Sequence, residues 1–436
     1  MGYIKRVLGN RELRKKILFV LFILLIYRLL AHIPIPGPDP ASTKNFLDNI
    51  FKSNSVLSFL DVFSGGGMSR FSVVMMSLGP YVTASIMIQL LTMVVPKLEA
   101  LSKEGEQGRK KINQYSRILT VPIALIEGYS MIRLLQSIAS KGGQNFLGNL
   151  SIYQWIVMLV SITAGTVFLM WLGELITEKG IGNGISIIIF AGIVSQVPTT
   201  VGQTLQKMFV GQFNPQELIK IGIFLSLSLI VIAFIVFITE AQRKIPISYA
   251  KKVRGAKLYG GIDTYLPVKL NMAGVIPIIF AAAFMNIPTV IGFLGSAKTA
   301  WIAESAKYIQ TTFAPNTNPY AVLLFLLVFG FTFFSTFLYF KPHDVAENIQ
   351  KQGGFIPGIR PGTQTEKYLT YLINRVTLWG AIFLSFISIL PFIVKPFTGD
   401  VNLTIGGTGL LIVVGVAIEV KNQIDAQLVI RNYEEF

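Results

Sequence analysis

The chain has 436 residues, of which 52% are hydrophobic and only 14% are charged, whereas a soluble globular domain carries about 25% charged residues. A polypeptide this apolar is a polytopic membrane protein, and the absence of cysteine excludes disulfides, thiol chemistry and thiolate metal sites. The formal net charge of +16 suits nucleic-acid binding, but in a membrane protein surplus Lys and Arg mark cytoplasmic loops, so their placement decides.

Apolar stretches recur along the chain, and each approaches the ~20 residues that a helix needs to cross a bilayer. Ten are found, at residues 17–34, 71–95, 118–135, 152–176, 184–203, 218–239, 271–294, 320–340, 376–394 and 403–420. Ten crossings put both termini on one side, and most of the 38 Lys and Arg fall on that side. The positive-inside rule makes it the cytoplasm. The sequence therefore predicts an all-α, multi-pass protein of the cell (cytoplasmic or inner) membrane with both termini cytoplasmic.

The N-terminal segment before the first crossing is strongly basic. It contains Lys5, Arg6, Arg11, Arg14, Lys15 and Lys16. A basic amphipathic segment of this kind can lie on anionic lipid. The apolar run that follows is long and lacks a small-residue cleavage site, so we expect a retained span and no cleavable signal peptide.

One region reads as a crossing that glycine interrupts. Residues 55–64 suit a short amphipathic helix, because Ser55, Ser58, Asp61 and Ser64 recur every third residue among apolar neighbours. Gly65, Gly66 and Gly67 then let the backbone turn, and the long apolar stretch 71–95 follows. Broken helices at membrane depth occur only where they line a cavity or are covered by protein. The pattern indicates a movable part inside a passage.

The third crossing carries two charged residues, Glu127 and Arg133. An intramembrane carboxylate is a functional candidate by default. Two interpretations of Glu127 stay open: it moves a proton, or it pairs with a basic residue on a neighbouring helix.

Two cytoplasmic loops are unusually long, at residues 240–270 and 341–375. The first interleaves basic residues, including Arg254 and Lys257, with three tyrosines, and the second holds Arg360 within a cluster of glycine and proline. Structureless connections longer than about 15 residues are usually functional or disordered. Basic residues with interleaved aromatics suit docking to an acidic or nucleic-acid surface.

Residues for chemistry are missing from the pattern. His32 and His343 are far apart, and no paired metal spacing, nucleophile elbow or P-loop is present. We therefore expect no enzyme activity, no catalytic residues, no metal and no cofactor, and any energy source must come from a partner.

Six motifs in order along the chain resemble the SecY family, whose members form the channel of the bacterial protein translocase. They are Phe63-Ser64-Gly65-Gly66 with Ser69-Arg70, Gly79-Pro80-Tyr81-Val82 with Gln89-Leu90-Leu91, Gly180-Ile181-Gly182-Asn183-Gly184, Asn271-Met272-Ala273-Gly274, Pro357-Gly358-Ile359-Arg360-Pro361-Gly362 and Gly406-Gly407-Thr408. Each motif alone is modest, but six in order across ten spans are specific.

The resemblance implies a fold of two inverted, pseudo-symmetric halves of five helices each, at residues 1–203 and 204–436. It implies a plug, the short helix 55–64 with Leu57, Leu60 and Phe63 on the Gly65–Gly67 hinge. It also implies a lateral gate between spans two and three and spans seven and eight, near Gln89 and Asn271. The constriction ring of the family would fall on Val82, Ile86, Ile185, Ile189, Ile279 and Ile412. The spacing of four within the first two pairs puts each pair on one helix face, and such an aliphatic ring can block ions by dewetting.

The function implied is a protein-conducting channel that passes unfolded secretory proteins and releases transmembrane segments laterally into the membrane. The implied partners are the small membrane subunits SecE and SecG, the motor ATPase SecA, the ribosome, signal sequences and nascent chains, and membrane lipid. Arg254, Lys257 and Arg360 would form the dock for motor and ribosome.

A secondary transporter is the alternative, since transporters also have inverted repeats and broken helices. It should place polar ligands for a small substrate at the midplane, where this sequence offers branched aliphatic residues.

Overall fold

The computed structural model describes residues 5, 7, 9–36, 47, 61, 62, 64–141, 151–210, 215–249, 252–254, 257–259, 264–285, 300–313, 317–398 and 407–434. The helices are α1 Arg11–Leu30, α2 Gly79–Val94, α3 Pro96–Lys103, α4 Glu106–Lys141, α5 Ile152–Lys179, α6 Gly184–Val210, α7 Pro215–Glu240, α8 Ile276–Phe284, α9 Ala300–Thr312, α10 Asn318–Tyr339, α11 Pro342–Lys351, α12 Thr363–Thr398 and α13 Gly407–Glu434. The strands are β1 Gln242–Tyr249, β2 Lys252–Arg254, β3 Lys257–Tyr259, β4 Thr264–Lys269 and β5 Gly354–Phe355.

The structure is mostly helical, as predicted, and several helices meet the length and hydropathy of a membrane span. Within the described residues four do so, namely Glu106–Gln136, Ile152–Lys179, Asn318–Lys351 and Thr363–Val394. The pair α2 and α3 forms a fifth candidate, bent by 100° at the break between them, and Gly184–Thr199 and Leu225–Glu240 are shorter apolar helices. The full set of ten spans stays a prediction.

The second predicted crossing differs from its expected form. Residues 71–78 form turns, and the helix begins only at Gly79, with Pro80 in its first turn. Backbone groups of these turns form hydrogen bonds with the segment after α1 and not within a helix. The Phe71 carbonyl accepts from the Ile35 amide (2.9 Å), and the Val73 amide donates to the Ile33 carbonyl (3.0 Å). Phe71 and Ser77 both have a φ of 49°, which a continuous right-handed helix does not allow.

The connection between the fifth and sixth spans also lies later than expected. The predicted boundary at residue 203 falls inside α6, which continues to Val210, and α7 begins at Pro215. The division of the chain into two halves stays a prediction, with the boundary between α6 and α7 in place of residue 203.

The all-α prediction missed a small sheet built from the two long loops. Strand β1 pairs antiparallel with β4 and with β5, and the Tyr249 hydroxyl donates to Gln352 Oε1 (3.3 Å). Beneath the sheet lies an apolar cluster of buried residues from β1, β4, α11, α12 and the turn after β5: Ile245, Val268, Ala346, Ile356, Leu369, Leu372 and Ile373. The two loops therefore form one folded unit.

The largest apolar core joins helices from both ends of the chain. Helix α2 packs against α4 and α8, α8 packs against α10, and α13 packs against α6, α7 and α12. These contacts bring the beginnings of α2, α6, α8 and α13 around one shared cluster of buried side chains.

Candidate functional site

The six aliphatic residues of the predicted ring all belong to the largest apolar cluster. Five are buried, and Ile185 is partly buried and packs against them: Val82, Ile86, Ile185, Ile189, Ile279 and Ile412. They come from α2, α6, α8 and α13; Ile86 lies at the middle of α2, and the other five lie within the first two turns of their helices. The cluster contains many other residues, so shared membership leaves the ring itself a prediction.

Local sequence fixes where these helices begin. Proline lies in the first turn of α2 and of α8, where its missing N–H costs nothing. Helix α6 begins at Gly184, whose amide donates to Thr177 Oγ1 (2.9 Å), while Asn183 Oδ1 accepts from the amides of Ile185 (3.1 Å) and Ser186 (3.3 Å). The side chain of Asn183 thus caps the helix and sets the position of Ile185.

The two predicted gate residues each keep a polar atom without a partner among the described residues. Gln89 donates to Ser85 Oγ (3.2 Å) within α2, and Asn271 donates to the Gly274 carbonyl (3.1 Å) just before α8. Gln89 Oε1 and Asn271 Oδ1 are buried and unsatisfied within that part of the structure. An unsatisfied buried oxygen costs free energy. Helix α2, which carries Gln89, packs against α8, which begins five residues after Asn271, and the lateral gate stays a prediction.

The glycine turn is present where the sequence predicts it. Asp61, Val62 and Ser64 are helical, and Gly65 and Gly66 follow with φ of 65° and 81°. The Gly66 amide donates to the Asp61 carbonyl (3.0 Å) and the Gly65 amide to the Val62 carbonyl (3.2 Å), the pair of bonds that closes a helix on a left-handed glycine. Leu57, Leu60 and Phe63 lie outside the described residues, and the plug stays a prediction.

Sequence reasoning missed the side chains that hold this turn. Tyr27 and Arg28 of α1 and Ser195 and Gln196 of α6 all take part in hydrogen bonds around it. The signal that could have found them is Arg28, a charge within an apolar span, since such a charge needs a polar partner.

Of the three predicted docking residues, Arg360 lies on the folded unit that contains β1, β4 and β5, whereas Arg254 and Lys257 lie in a separate two-stranded sheet of the first long loop. Arg254 and Lys257 are paired opposite each other, at the end of β2 and the start of β3. Arg360 is exposed on the turn after β5, where Gly358 (φ 82°) and Gly362 (φ 95°) flank it and its carbonyl accepts from Thr365 Oγ1 (3.0 Å). The buried Ile356 fixes this turn to the apolar cluster.

The two charged residues of the third predicted crossing, Glu127 and Arg133, contact different groups and do not pair with each other. Glu127 is buried in α4 and accepts a hydrogen bond from Thr83 Oγ1 of α2 (3.2 Å), and among the described residues it has no basic partner. Arg133 lies over the rings of Tyr129 and Trp155, at 5.4 and 5.0 Å from their centroids, a cation–π arrangement. Glu127 therefore connects α2 to α4 by a hydrogen bond. Within the described residues no group of His, Asp or Glu could hold a metal ion.

Comparison with known proteins gives consistent matches. The SecY family profile matches residues 72–421. The chain is 40% identical to the protein translocase subunit SecY of Streptomyces scabiei, over 99% of this chain and 98% of that protein, and 43% identical to that of Thermotoga maritima, over 98% and 95%.

Solved structures with the same fold include a protein-conducting channel and the Sec61 channel of a canine ribosome-channel complex from the endoplasmic reticulum. Their TM-scores are 0.62 and 0.58, at 18% identity, with 93% of this chain and 90% of each structure covered. A third solved structure has a TM-score of 0.59, 18% identity and the same coverage. It is of a SecY protein whose plug domain stabilises the closed state of the translocation channel.

Proposed function

Because the chain belongs to the SecY family, we infer that it is a protein translocation channel. It is a channel subunit of a membrane translocase, neither an enzyme nor a small-molecule transporter. The single observation that carries this conclusion is the near full-length match to protein translocase subunits. The apolar centre of the structure is consistent with it, because a transporter site would need polar ligands there.

The pathway through the channel is our proposal. Secretory polypeptides pass between α2, α6, α8 and α13, where the six aliphatic side chains form the constriction. Helices α2 and α8 part towards lipid at Gln89 and Asn271, so that signal sequences and apolar nascent segments leave sideways. The packing of α2 against α8 supports the position of this gate. The segment that ends at the Gly65–Gly67 turn closes the pathway at rest as a plug.

The membrane and partner assignments are proposals as well. We place the protein in the cytoplasmic membrane with both termini in the cytoplasm, bound to SecE and SecG. The two long loops, which carry Arg254, Lys257 and Arg360, are the dock for the SecA motor and for the ribosome. A ribosome offers phosphates, which arginine binds with charge-assisted hydrogen bonds.

Reconstitution tests the function. The purified protein is placed in lipid vesicles, with the small subunits, the motor ATPase and a precursor that carries a signal sequence. We expect ATP-dependent protection of the precursor from external protease. Vesicles in which the protein alone accumulates a small solute, and never protects a precursor, would contradict the proposal.

Replacing Ile412 with asparagine tests the ring. An amide in an aliphatic constriction gives water and ions a polar partner, so the closed state should lose about 1–3 kcal/mol relative to the open state. Since about 1.4 kcal/mol is a factor of ten in an equilibrium, we expect a resting ion current roughly tenfold higher across a planar bilayer. Signal-defective precursors should also be exported more readily.

The control for Ile412→Asn lies on the same helix. Ala417 is exposed on α13, whereas Ile412 is fully buried, so Ala417→Asn adds the same amide away from the cluster. It should leave the current and the signal requirement at the parent values. Equal behaviour of both variants and the parent would remove Ile412 from the constriction.

A further inference from the structure

The carbonyl groups of the helical turn that precedes the glycines accept hydrogen bonds from within the turn and from outside it. Within the turn, the Gly66 amide donates to the Asp61 carbonyl (3.0 Å) and the Gly67 amide to the Ser64 carbonyl (3.2 Å), and each carbonyl oxygen has a second lone pair that can accept. Side chains of two other helices bind these groups. The Asp61 carbonyl accepts from Gln196 Nε2 (2.8 Å), the Ser64 carbonyl from the Tyr27 hydroxyl (3.2 Å) and the Gly65 carbonyl from Arg28 Nη1 (2.9 Å). We call Arg28 and Gln196, the half-buried members of this set, the anchor.

The charge of the anchor suits the end of the helix that it binds. A helix C-terminus carries partial negative charge, and a cation there is stabilising. Arg28 supplies that cation and is itself oriented by a second hydrogen bond, to Ser195 Oγ of α6 (2.9 Å). The guanidinium therefore connects the turn to α1 and α6 at once.

The side chain of Asp61 completes the arrangement. Its Oδ1 accepts from the Ser69 amide (2.9 Å) and from Ser64 Oγ (3.1 Å), so it binds the chain on both sides of the glycines. Its Oδ2 lies 3.3 Å from Gln196 Nε2, which also binds the main-chain carbonyl of the same residue. Gln196 thus recognises Asp61 through both backbone and side chain.

The contact is close because two glycines meet in it. A Cβ atom on Gly65 would clash with the Tyr27 hydroxyl and lie 2.9 Å from the Gly192 Cα atom of α6. Backbone therefore touches backbone, and the turn lies directly on α6.

The composition of the contact allows it to separate. Tyr27 and Asp61 are buried, whereas Arg28, Ser195 and Gln196 are only half-buried, so water can replace the hydrogen bonds that these three side chains make. An apolar junction would instead expose apolar surface on separation.

We propose that Arg28 and Gln196 form a releasable anchor, which holds Asp61 and Gly65 on α1 and α6 at rest and must let go when the channel opens. This inference rests on the proposed channel function, and it assigns to two residues outside the constriction a role in the opening equilibrium. They are positioning residues, because they act through the segment that they hold.

Gln196→Glu tests the anchor with little change in size. The substitution replaces the donor by an acceptor and places a second carboxylate beside Asp61, so the resting state loses two hydrogen bonds and gains a like-charge repulsion. We expect a resting ion current roughly tenfold higher and export of precursors with defective signals. Export of precursors with intact signals should stay at the parent rate.

A second substitution separates the anchor from general support. Asp61→Asn, combined with Gln196→Glu, reverses the donor and acceptor of the side-chain pair, and we expect the current and the signal requirement to return towards the parent.

Arg133→Leu and Arg28→Leu form a matched pair, since Arg133 is a span arginine away from the turn; only Arg28→Leu should raise the current. Parent-like current and signal requirement in both Gln196→Glu and Arg28→Leu would overturn the proposal, as would an effect that Asp61→Asn leaves unchanged.

A reversible lock gives an independent readout in this cysteine-free chain. With Asp61→Cys and Gln196→Cys, oxidation should hold the segment on α6 and stop export, and reductant should restore it. Export at equal rates before and after reduction, with the disulfide shown to be formed under oxidation, would overturn the need for release. The parent protein in the same vesicles separates the two claims: failure of the parent to export contradicts the channel function, whereas failure confined to the predicted differences contradicts only the anchor.

Discussion

Replacing Arg360 with glutamate is expected to abolish motor-driven translocation while leaving the protein folded and inserted. Arg360 is exposed and its side chain is outside the apolar cluster that Ile356 joins, so reversing its charge should change the free energy of unfolding by no more than about 0.5 kcal/mol. A charge-assisted contact to a partner would be lost and replaced by repulsion, and truncating such a buried contact costs about 2–5 kcal/mol. At the upper end of this range, a loss of binding of roughly 4,000-fold follows.

The measurement compares ATP-dependent precursor import with thermal unfolding in the same preparation. Arg109→Glu is the matched control, because it makes the same charge change at an exposed position in the first turn of α4. Normal import by Arg360→Glu with the motor, or equal loss in both variants, would contradict the docking role of the turn.

Joining α2 to α8 by a disulfide is expected to stop export almost completely. The two helices pack against each other, and cysteines at Gln89 and Asn271 would tie them if their Cα atoms approach within about 7 Å. A covalent bond of this kind outlasts any opening that hydrogen bonds or dewetting control, so the effect should be larger than that of any single polar substitution in the constriction.

The control for this lock is the same protein under reductant, together with each single cysteine variant. Each should export at the parent rate, since the parent contains no cysteine that could pair with the new thiol. Export that continues while the disulfide is shown to be formed would mean that α2 and α8 do not have to separate.

Composition and hydropathy predicted most of the helical architecture. Apolar length predicted the regions of α4, α5, α10 and α12, because each of these helices is long and apolar enough to span. The same signal failed at residues 71–78, which are as apolar as a span but form turns. Their backbone groups bond to residues 33–35, a contact between distant parts of the chain that no local pattern encodes.

The loops show a second limit of local patterns. Basic charge and spaced tyrosines indicated a docking surface, yet the strands were missed. Strand β1 pairs with β4 of the same loop and with β5 of the other loop, and the second of these pairings joins parts of the chain that no local pattern connects. The turn around Arg360 was predictable, since Gly358 and Gly362 take the left-handed conformations that glycine favours.

Some residues of the candidate site could likewise be predicted from the sequence, and others could not. Spacing by four placed Val82 with Ile86 and Ile185 with Ile189 on shared helix faces, and the family resemblance added Ile279 and Ile412. Nothing in the sequence pairs Gln196 with Asp61, because the contact depends on how α6 packs beside the glycine turn. When a side chain binds a main-chain carbonyl, any residue type can supply that carbonyl, so the sequence does not reveal which residue accepts the hydrogen bond.

Cross-linking of a polypeptide arrested in transit tests the central claim most directly. A photo-activated residue at Ile86 or Ile412 lies in the shared apolar cluster, whereas one at Leu21 lies on an exposed face of α1. With a precursor halted halfway by a folded C-terminal domain, the channel account predicts cross-links from Ile86 and Ile412 to the precursor, dependent on ATP, and none from Leu21. Cross-links from Leu21 alone, with none from the two cluster positions, would contradict passage of the polypeptide through the centre of this chain.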